Sequence, residues 1–267
     1  AAAGAELQEV VLAVIPEVAS SDGRNRESEI RPDSLAEEDG YPVRVGQTGY
    51  IQYIDPDYML TLAREKDLVI RLLRKPGHLV WREARVALVW PAARVDEELD
   101  QQILKAFRIG NGRTPTQDVA YAVNQLVEMA VRAMSPAIND PFTAMTCLDY
   151  IGDGLVLFVR RGAIYPNIYD SHGRLRIVFN PVTFDELLSA AFDMLRHASC
   201  DNVRVLLHML KTINVISEET KTPGTRQQLL RHVILIQVES QAGSLIEEDR
   251  QSVHQSSEAL KLKLESP

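Results

Sequence analysis

At 267 residues, the chain is long enough for one large domain or two modest ones, each with its own hydrophobic core. Hydrophobic residues make up 45% of it and charged residues 25%, a composition that excludes wholesale disorder. The net charge of -8 and the lack of a clustered Lys/Arg patch argue against nucleic acid as a partner. The two cysteines are too few for a disulfide framework and indicate a reducing compartment.

The first residues read as part of a longer protein. The chain opens Ala-Ala-Ala-Gly-Ala, without Met and without the basic region of a secretory signal. No run approaches the ~18 apolar residues that cross a bilayer. The nearest, residues 10–15, ends at Pro16 and is predicted as a strand or a short helix. We therefore expect membrane contact to come from sequence outside this chain.

A small β-rich domain is predicted for residues 1–95. Residues 20–40 are polar and read as a mobile surface loop. Short β-prone runs follow at 50–54 and 86–90, and Asp55-Pro56 starts a helix that ends near residue 66. With the Pro76-Gly77 turn, this stretch is similar to the half-barrels of lipoyl and biotinyl carrier domains. Their Met-Lys-Met hairpin is missing, so the similarity implies a shape and no carrier function.

Residues 96–267 are predicted as a helical domain that carries one β-hairpin near 163–179. Apolar periodicity and capping signals predict seven helices, at 97–107, 115–134, 141–161, 184–198, 202–219, 226–247 and 249–264. The fold class that follows is α+β, mostly α, with a half-barrel-like β part followed by a helical bundle.

The helix predicted at 115–134 has an unusually wide apolar face. Thr114, Pro115 and Gln117 fit a capping box, and the apolar positions cover about 200° of the helix circumference at ~100° per residue. We therefore expect a central helix in which Leu126, Val127 and Ala130 are buried. The polar side chains form a stripe that is either the one solvated face or the lining of a crevice or subunit contact. The stripe consists of Gln117, Asp118, Tyr121, Gln125, Glu128 and Arg132.

A tight corner between two helices follows. Pro136 ends one helix, and Asp140-Pro141 caps the next. These local roles explain the polar residues of the corner. Alternatively, Asn139 and Asp140 help to hold a ligand or a neighbouring chain, and the positive end of the helix dipole there favours an anion.

A resemblance becomes specific at these residues. The segments Arg113-Thr-Pro-Thr-Gln117-Asp118, Gln125-Leu-Val-Glu128 and Arg132-Ala-Met-Ser-Pro-Ala-Ile-Asn139-Asp140-Pro-Phe-Thr-Ala look like the bacterial predicted membrane protein family known as domain of unknown function twenty-two fifty-four. The resemblance implies several transmembrane helices ahead of a soluble part, and it covers residues 43 to the end. It brings no established reaction and hence no catalytic residues.

Other constellations give little support for chemistry. The histidines are scattered, without a HExxH motif. Asp193 and His197 have the i,i+4 spacing of two metal ligands, which is also that of an ordinary helical pair. Cys147 lies among apolar residues and is expected to be an inert thiol. We expect no metal and no cofactor.

These observations predict a soluble, non-catalytic domain of a bacterial integral membrane protein. We expect it to assemble or regulate the membrane part, in a transport or channel role, on the cytoplasmic side of the inner membrane. Its expected partners are its own transmembrane helices and further copies of itself. The alternative is a ligand or metal sensor. The predicted site, which is either a ligand site or an interface, consists of Arg113, the polar stripe, Asn139 and Asp140. An enzyme that uses Asp118 and Glu128 is disfavoured, because ten helical residues separate these carboxylates by about 15 Å.

Overall fold

A computed structural model describes residues 2–14, 35–162, 164–220 and 222–266. The loop predicted at 20–40 therefore falls largely outside the described residues. The chain forms two compact units. The helical unit comprises the described residues of Ala1–Glu17, Val119–Gly162 and Val182–Pro267, and the β-rich unit those of Val18–Asp118 and Ala163–Pro181.

The elements of the described residues are given in chain order. The helices are α1 (Ala2–Val14), α2 (Pro56–Glu65), α3 (Glu97–Lys105), α4 (Val119–Ala133), α5 (Pro141–Arg161), α6 (Phe184–Ala198), α7 (Val203–Glu218), α8 (Pro223–Ala242) and α9 (Glu247–Glu265). The strands are β1 (Tyr41–Arg44), β2 (Gly49–Ile54), β3 (Val69–Leu72), β4 (Leu79–Val80), β5 (Arg85–Trp90), β6 (Phe107–Gly110), β7 (Asn167–Tyr169) and β8 (Leu175–Val178). The α+β, mostly α fold is thus confirmed.

The β-rich unit contains two sheets. One has the strand order β1-β5-β3-β8-β7 and the other β4-β2-β6. Its pairs are antiparallel except for β3 and β8, which run parallel with Ile70 opposite Ile177. Both of these isoleucines are buried in the core of the unit, together with residues of α2 and α3. Burial of apolar side chains from both sheets and both helices is what holds the unit together.

The hairpin β7–β8 lies in a different unit from the one predicted for it. The sequence placed it in the helical domain, but β8 extends the five-stranded sheet beside β3. The alternating pattern of Leu175 and Ile177 correctly indicated a strand with a covered face, and both side chains are buried. The identity of the strand it pairs with depends on residues about a hundred positions earlier, which no local pattern encodes.

The helical unit is organised around α4, which packs against α1, α5 and α6. Leu126, Val127 and Ala130 are at most 2% exposed, which confirms the predicted central helix. Its start was predicted wrongly: α4 begins at Val119, and residues 115–118 form a turn. α5 and α6 begin and end at the predicted residues, at caps provided by Asp140 and Thr183.

In this unit α1, α5 and α7 run in the same direction. On α1 and α5, a Cβ at Gly4 would lie 2.3 Å from the Tyr150 ring, and one at Gly154 would lie 2.5 Å from Leu7. On α5 and α7, Asp149 contacts His208 and Arg160 contacts Glu219. In each pair the residue numbers rise together, so α1, α5 and α7 start at the same end.

The end of α8 lies at that end too. Asp201, in the turn between α6 and α7, accepts a 2.9 Å hydrogen bond from the Ser244 hydroxyl, just after α8. The α4–α5 corner, the α6–α7 turn and the α8–α9 turn therefore share one end of the helical unit, toward which the start of α1 points. We call it the corner end.

Candidate functional site

Arg113 and Asp118 form an ion pair within the β-rich unit. The Arg113 Nε and Nη2 atoms lie 2.8 and 2.7 Å from Asp118 Oδ2, and the Asp118 side chain is only 5% exposed. Gly77 packs against this pair with a φ of +88°, and a Cβ there would lie 2.0 Å from Asp118 Oδ2. A partly buried guanidinium and a buried carboxylate neutralise one another here, so the pair is well suited to fix the turn that leads into α4.

Gln117 also has its partner inside the β-rich unit. Its Oε1 accepts a 2.9 Å hydrogen bond from the Ile54 N–H, and its Nε2 donates a 3.1 Å hydrogen bond to the Ile54 carbonyl oxygen. The amide thus continues the backbone pairing of β2 at the point where that strand ends. Because the oxygen and the nitrogen of its amide are both used in this way, Gln117 has a structural role at the edge of the sheet.

The remaining stripe residues lie on α4 and differ in exposure. Tyr121 and Gln125 are half-buried, and Gln125 Oε1 is a buried atom without a hydrogen-bond partner among the described residues. Glu128 and Arg132 are 61% and 73% exposed and pair with each other at i,i+4. The predicted stripe is therefore divided: its first two members belong to the turn before α4, its middle two are half-buried, and its last two form a solvated pair.

Asn139 and Asp140 lie at the α4–α5 corner. Asn139 is exposed, with a φ of +48°, a left-handed conformation that Asn tolerates better than most residues. Asp140 caps α5 by accepting from the Thr143 backbone N–H at 3.1 Å, and its carboxylate also accepts from the Thr143 hydroxyl. These bonds from Thr143 hold the pKa of Asp140 below its usual value. The capping role that the sequence predicts for this corner is therefore confirmed by these hydrogen bonds.

The sequence did not predict a partly buried polar cluster that lies between α6 and α8. Arg196 is 8% exposed and pairs with Glu239, which also lies 2.8 Å from His197 Nδ1. Asp193, one turn earlier on α6, lies 3.6 Å from Arg196 and 3.9 Å from His232 Nδ1. Of this cluster, the sequence indicated only the i,i+4 spacing of Asp193 and His197.

His232 is the most unusual member of the cluster. Its ring is fully buried against Phe192, with ring centroids 5.6 Å apart, and neither ring nitrogen has a hydrogen-bond partner among the described residues. Burial lowers the pKa of His232 to about 4, although the nearby Asp193 carboxylate acts in the opposite direction. His232 is therefore neutral near pH 7.

Metal binding and thiol chemistry find little support in the part of the chain that the structure describes. No group of three or more His, Cys, Asp and Glu side chains there is arranged to hold a metal ion. Cys147 is buried, and burial raises the pKa of its thiol, so it is poorly suited to act as a thiolate nucleophile.

Comparison with known proteins gives a family without a known reaction. Uncharacterized proteins of Mycobacterium bovis and Mycobacterium tuberculosis are each 24% identical over 237 residues, which is 87% of this chain and 45% of each relative. The chain thus spans less than half the length of these relatives. No solved structure matches it. The family described as "Predicted membrane protein (DUF2254)" matches residues 3–214, and the chain belongs to this family.

Proposed function

We propose that this chain is the extramembrane, non-catalytic portion of an integral membrane protein. In this proposal a membrane-embedded part precedes it in sequence, and the chain lies on the cytoplasmic side of the inner membrane. There it assembles with further copies of itself and regulates a transport or channel activity of the membrane part. Membership of a membrane protein family supports the attachment, and the relatives are long enough to contain a further part.

The packing of α5 is the observation that carries the proposal. Among the described residues, α5 is the one helix long and apolar enough to cross a membrane, and half of its most apolar stretch is buried inside the protein. Its polar side chains bind neighbouring helices: Asp149 lies 2.7 Å from His208, and Arg160 lies 2.6 Å from Glu219. A charged pair such as Arg160–Glu219 is unfavourable in lipid, so α5 fits the role of a core helix.

An exposed apolar face on α8 supports the assembly part. Ile234 and Val238 are 43% and 60% exposed and lie one turn apart on the same side of α8. Contiguous exposed apolar side chains favour contact with another protein surface. We assign this face to contact between copies.

Membrane fractionation and light scattering test the two parts of the proposal. The full-length protein should stay with membranes after alkaline carbonate extraction. The 267-residue chain should show a mass above that of a monomer, and Ile234→Glu with Val238→Glu should return it to a monomer. Leu262→Glu is a matched control, because Leu262 is 68% exposed elsewhere in the same unit. A strict monomer at high concentration would contradict self-assembly.

The alternative of a ligand sensor has one specific observation in its favour. Gln125 Oε1 is a buried acceptor that a ligand donor could satisfy. A thermal-shift screen with anions, nucleotides and divalent cations tests this function, because a ligand of the native state raises the melting temperature. A stabilising ligand whose effect persists in Gln125→Leu would place the ligand elsewhere.

A further inference from the structure

Apolar side chains project into solvent at the corner end of the helical unit. Ile138 and Phe142 flank the α4–α5 corner and are 61% and 64% exposed. Ile246, in the α8–α9 turn at the same end, is 64% exposed. Isolated apolar side chains on a surface are ordinary, but three in the turns of one end indicate a contact surface.

The same end has an excess of acidic side chains. Its turns and first helical turns contain five carboxylates, and the nearby arginines include Arg132, which is paired with Glu128, and Arg250, which donates to the Gly243 carbonyl oxygen. Arg204 is a further arginine there, and Arg196, in the last turn of α6, is paired with Glu239. The carboxylates are those of Asp140, Asp201, Glu247, Glu248 and Asp249. We call these five carboxylates the acidic rim, and an acidic end that also exposes apolar side chains favours a basic partner over anionic lipid.

The direction of α1 gives the location of the preceding chain. Because α1 runs parallel to α5, its first residues point toward the corner end, with Gly4 beside Tyr150 in the middle of α5. Sequence that precedes α1 would therefore approach the helical unit from that side. The curated relatives are more than twice as long as the matched region, since this chain spans 45% of each. If the proposed function holds, the membrane part connects at this end.

We propose that the corner end docks on the membrane-embedded part of the same protein. Ile138 and Phe142 contact the ends of its transmembrane helices, and the acidic rim pairs with the Lys/Arg-rich loops that membrane proteins expose on the cytoplasmic side. This inference rests on the proposed function. It adds the surface to which the membrane part binds and the kinds of side chain that make the contact.

Photo-crosslinking in the full-length protein tests the docking. Phe142→Cys, in a Cys200→Ser background, is labelled with a thiol-reactive benzophenone in native membranes, irradiated and digested for mass spectrometry. The matched control is Leu262→Cys, whose site is 68% exposed at the other end of the unit. Phe142→Cys should crosslink to peptides of the membrane part several-fold more than the control does. Glu247→Lys with Glu248→Lys should lower that yield several-fold.

The outcomes separate this inference from the proposed function. Release of the protein by carbonate extraction would overturn both, because no membrane part would then be present. If the protein stays in the membrane, three results would overturn the docking alone. They are crosslinks only to lipid, crosslinks only to a second copy of the protein, and a crosslinking yield no higher than that of the Leu262→Cys control. Unchanged melting temperatures of the variants confirm that a loss of crosslinking does not come from unfolding.

Discussion

The side-chain amide of Gln117 pairs with both backbone groups of Ile54, which lies 63 residues earlier in the chain. Gln117→Ala leaves a part-buried N–H and carbonyl oxygen without these partners. We expect the free energy of unfolding to fall by about 1–3 kcal/mol, the usual cost of unsatisfied buried polar groups. Urea denaturation measures this loss. Thr116→Ala, next to it but exposed, should change the free energy of unfolding by less than about 0.5 kcal/mol.

The same residue shows why the start of α4 was predicted wrongly. Thr114, Pro115 and Gln117 have the spacing of a capping box, and that pattern is complete within four residues. The amide of Gln117 instead bonds Ile54, and Asp118 pairs back to Arg113. A distant partner thus outweighs a local cap worth about 1 kcal/mol.

Gly77 should tolerate no side chain. Its φ of +88° disfavours any L-residue, and a Cβ would also collide with the buried Asp118 carboxylate. Gly77→Ala should therefore cost more than the roughly 1–2 kcal/mol of the backbone strain alone. Thermal denaturation measures this loss. A loss of no more than about 1–2 kcal/mol would show that the Arg113–Asp118 pair moves aside to make room for the new side chain.

Asp170 should make the β-rich unit sensitive to acid. Burial alone raises its pKa, but hydrogen bonds from Arg176 and from the backbone N–H groups of Arg174 and His172 lower the pKa to about 2. Because the folded pKa lies below the ordinary value of 3.8, the stabilisation is present above that pH and is lost as the pH falls toward about 2. Denaturation measured between these pH values should show the loss.

Removal of the Asp170 charge tests the ion pair directly. Arg176 is 6% exposed and keeps Asp67 as a second partner, at 2.9 Å. Asp170→Asn should destabilise the protein by about 3 kcal/mol at neutral pH, because it leaves a buried guanidinium undercompensated. Asp185→Asn removes an ion pair whose side chains are both about half exposed, with Arg231, and should cost less than about 1 kcal/mol. Equal losses in the free energy of unfolding for the two variants would contradict a special role for Asp170.

His232 should give the helical unit a second pH dependence at milder acidity. Its folded pKa of about 4 lies below the ordinary 6.5, so between these values the unfolded chain binds a proton that the folded chain does not. The free energy of unfolding should therefore fall by up to about 3 kcal/mol as the pH drops through this range, and then level off.

His232→Phe is the variant that tests this dependence. Neither ring nitrogen has a hydrogen-bond partner among the described residues, and the ring already packs on Phe192, so an apolar ring should be tolerated. The variant should match the parent protein below about pH 4 or exceed it, without the slope above that pH. A slope that persists in His232→Phe would assign the titration to another group.

Local signals predicted much of the helical unit and little of the site. Asp140-Pro141 and the Thr183 capping box with Glu186 were sufficient to give α5 and α6 their observed first residues. The cluster of Arg196, Glu239 and His232 depends on how α6 packs against α8, which residue spacing along one helix does not encode. The hypothesis that the predicted site residues bind a ligand or a neighbouring chain stays a prediction.

The parallel pairing of β3 with β8 affects how the protein is made. The five-stranded sheet needs residues 167–178, which leave the ribosome only after α4 and α5 have been synthesised. The helical unit in turn needs α6 to α9, which come later still. The β-rich unit therefore completes its sheet only after residue 178 has been made, and the helical unit completes its core only near the end of the chain. Until then the apolar surfaces of each unit are exposed and accessible to chaperones.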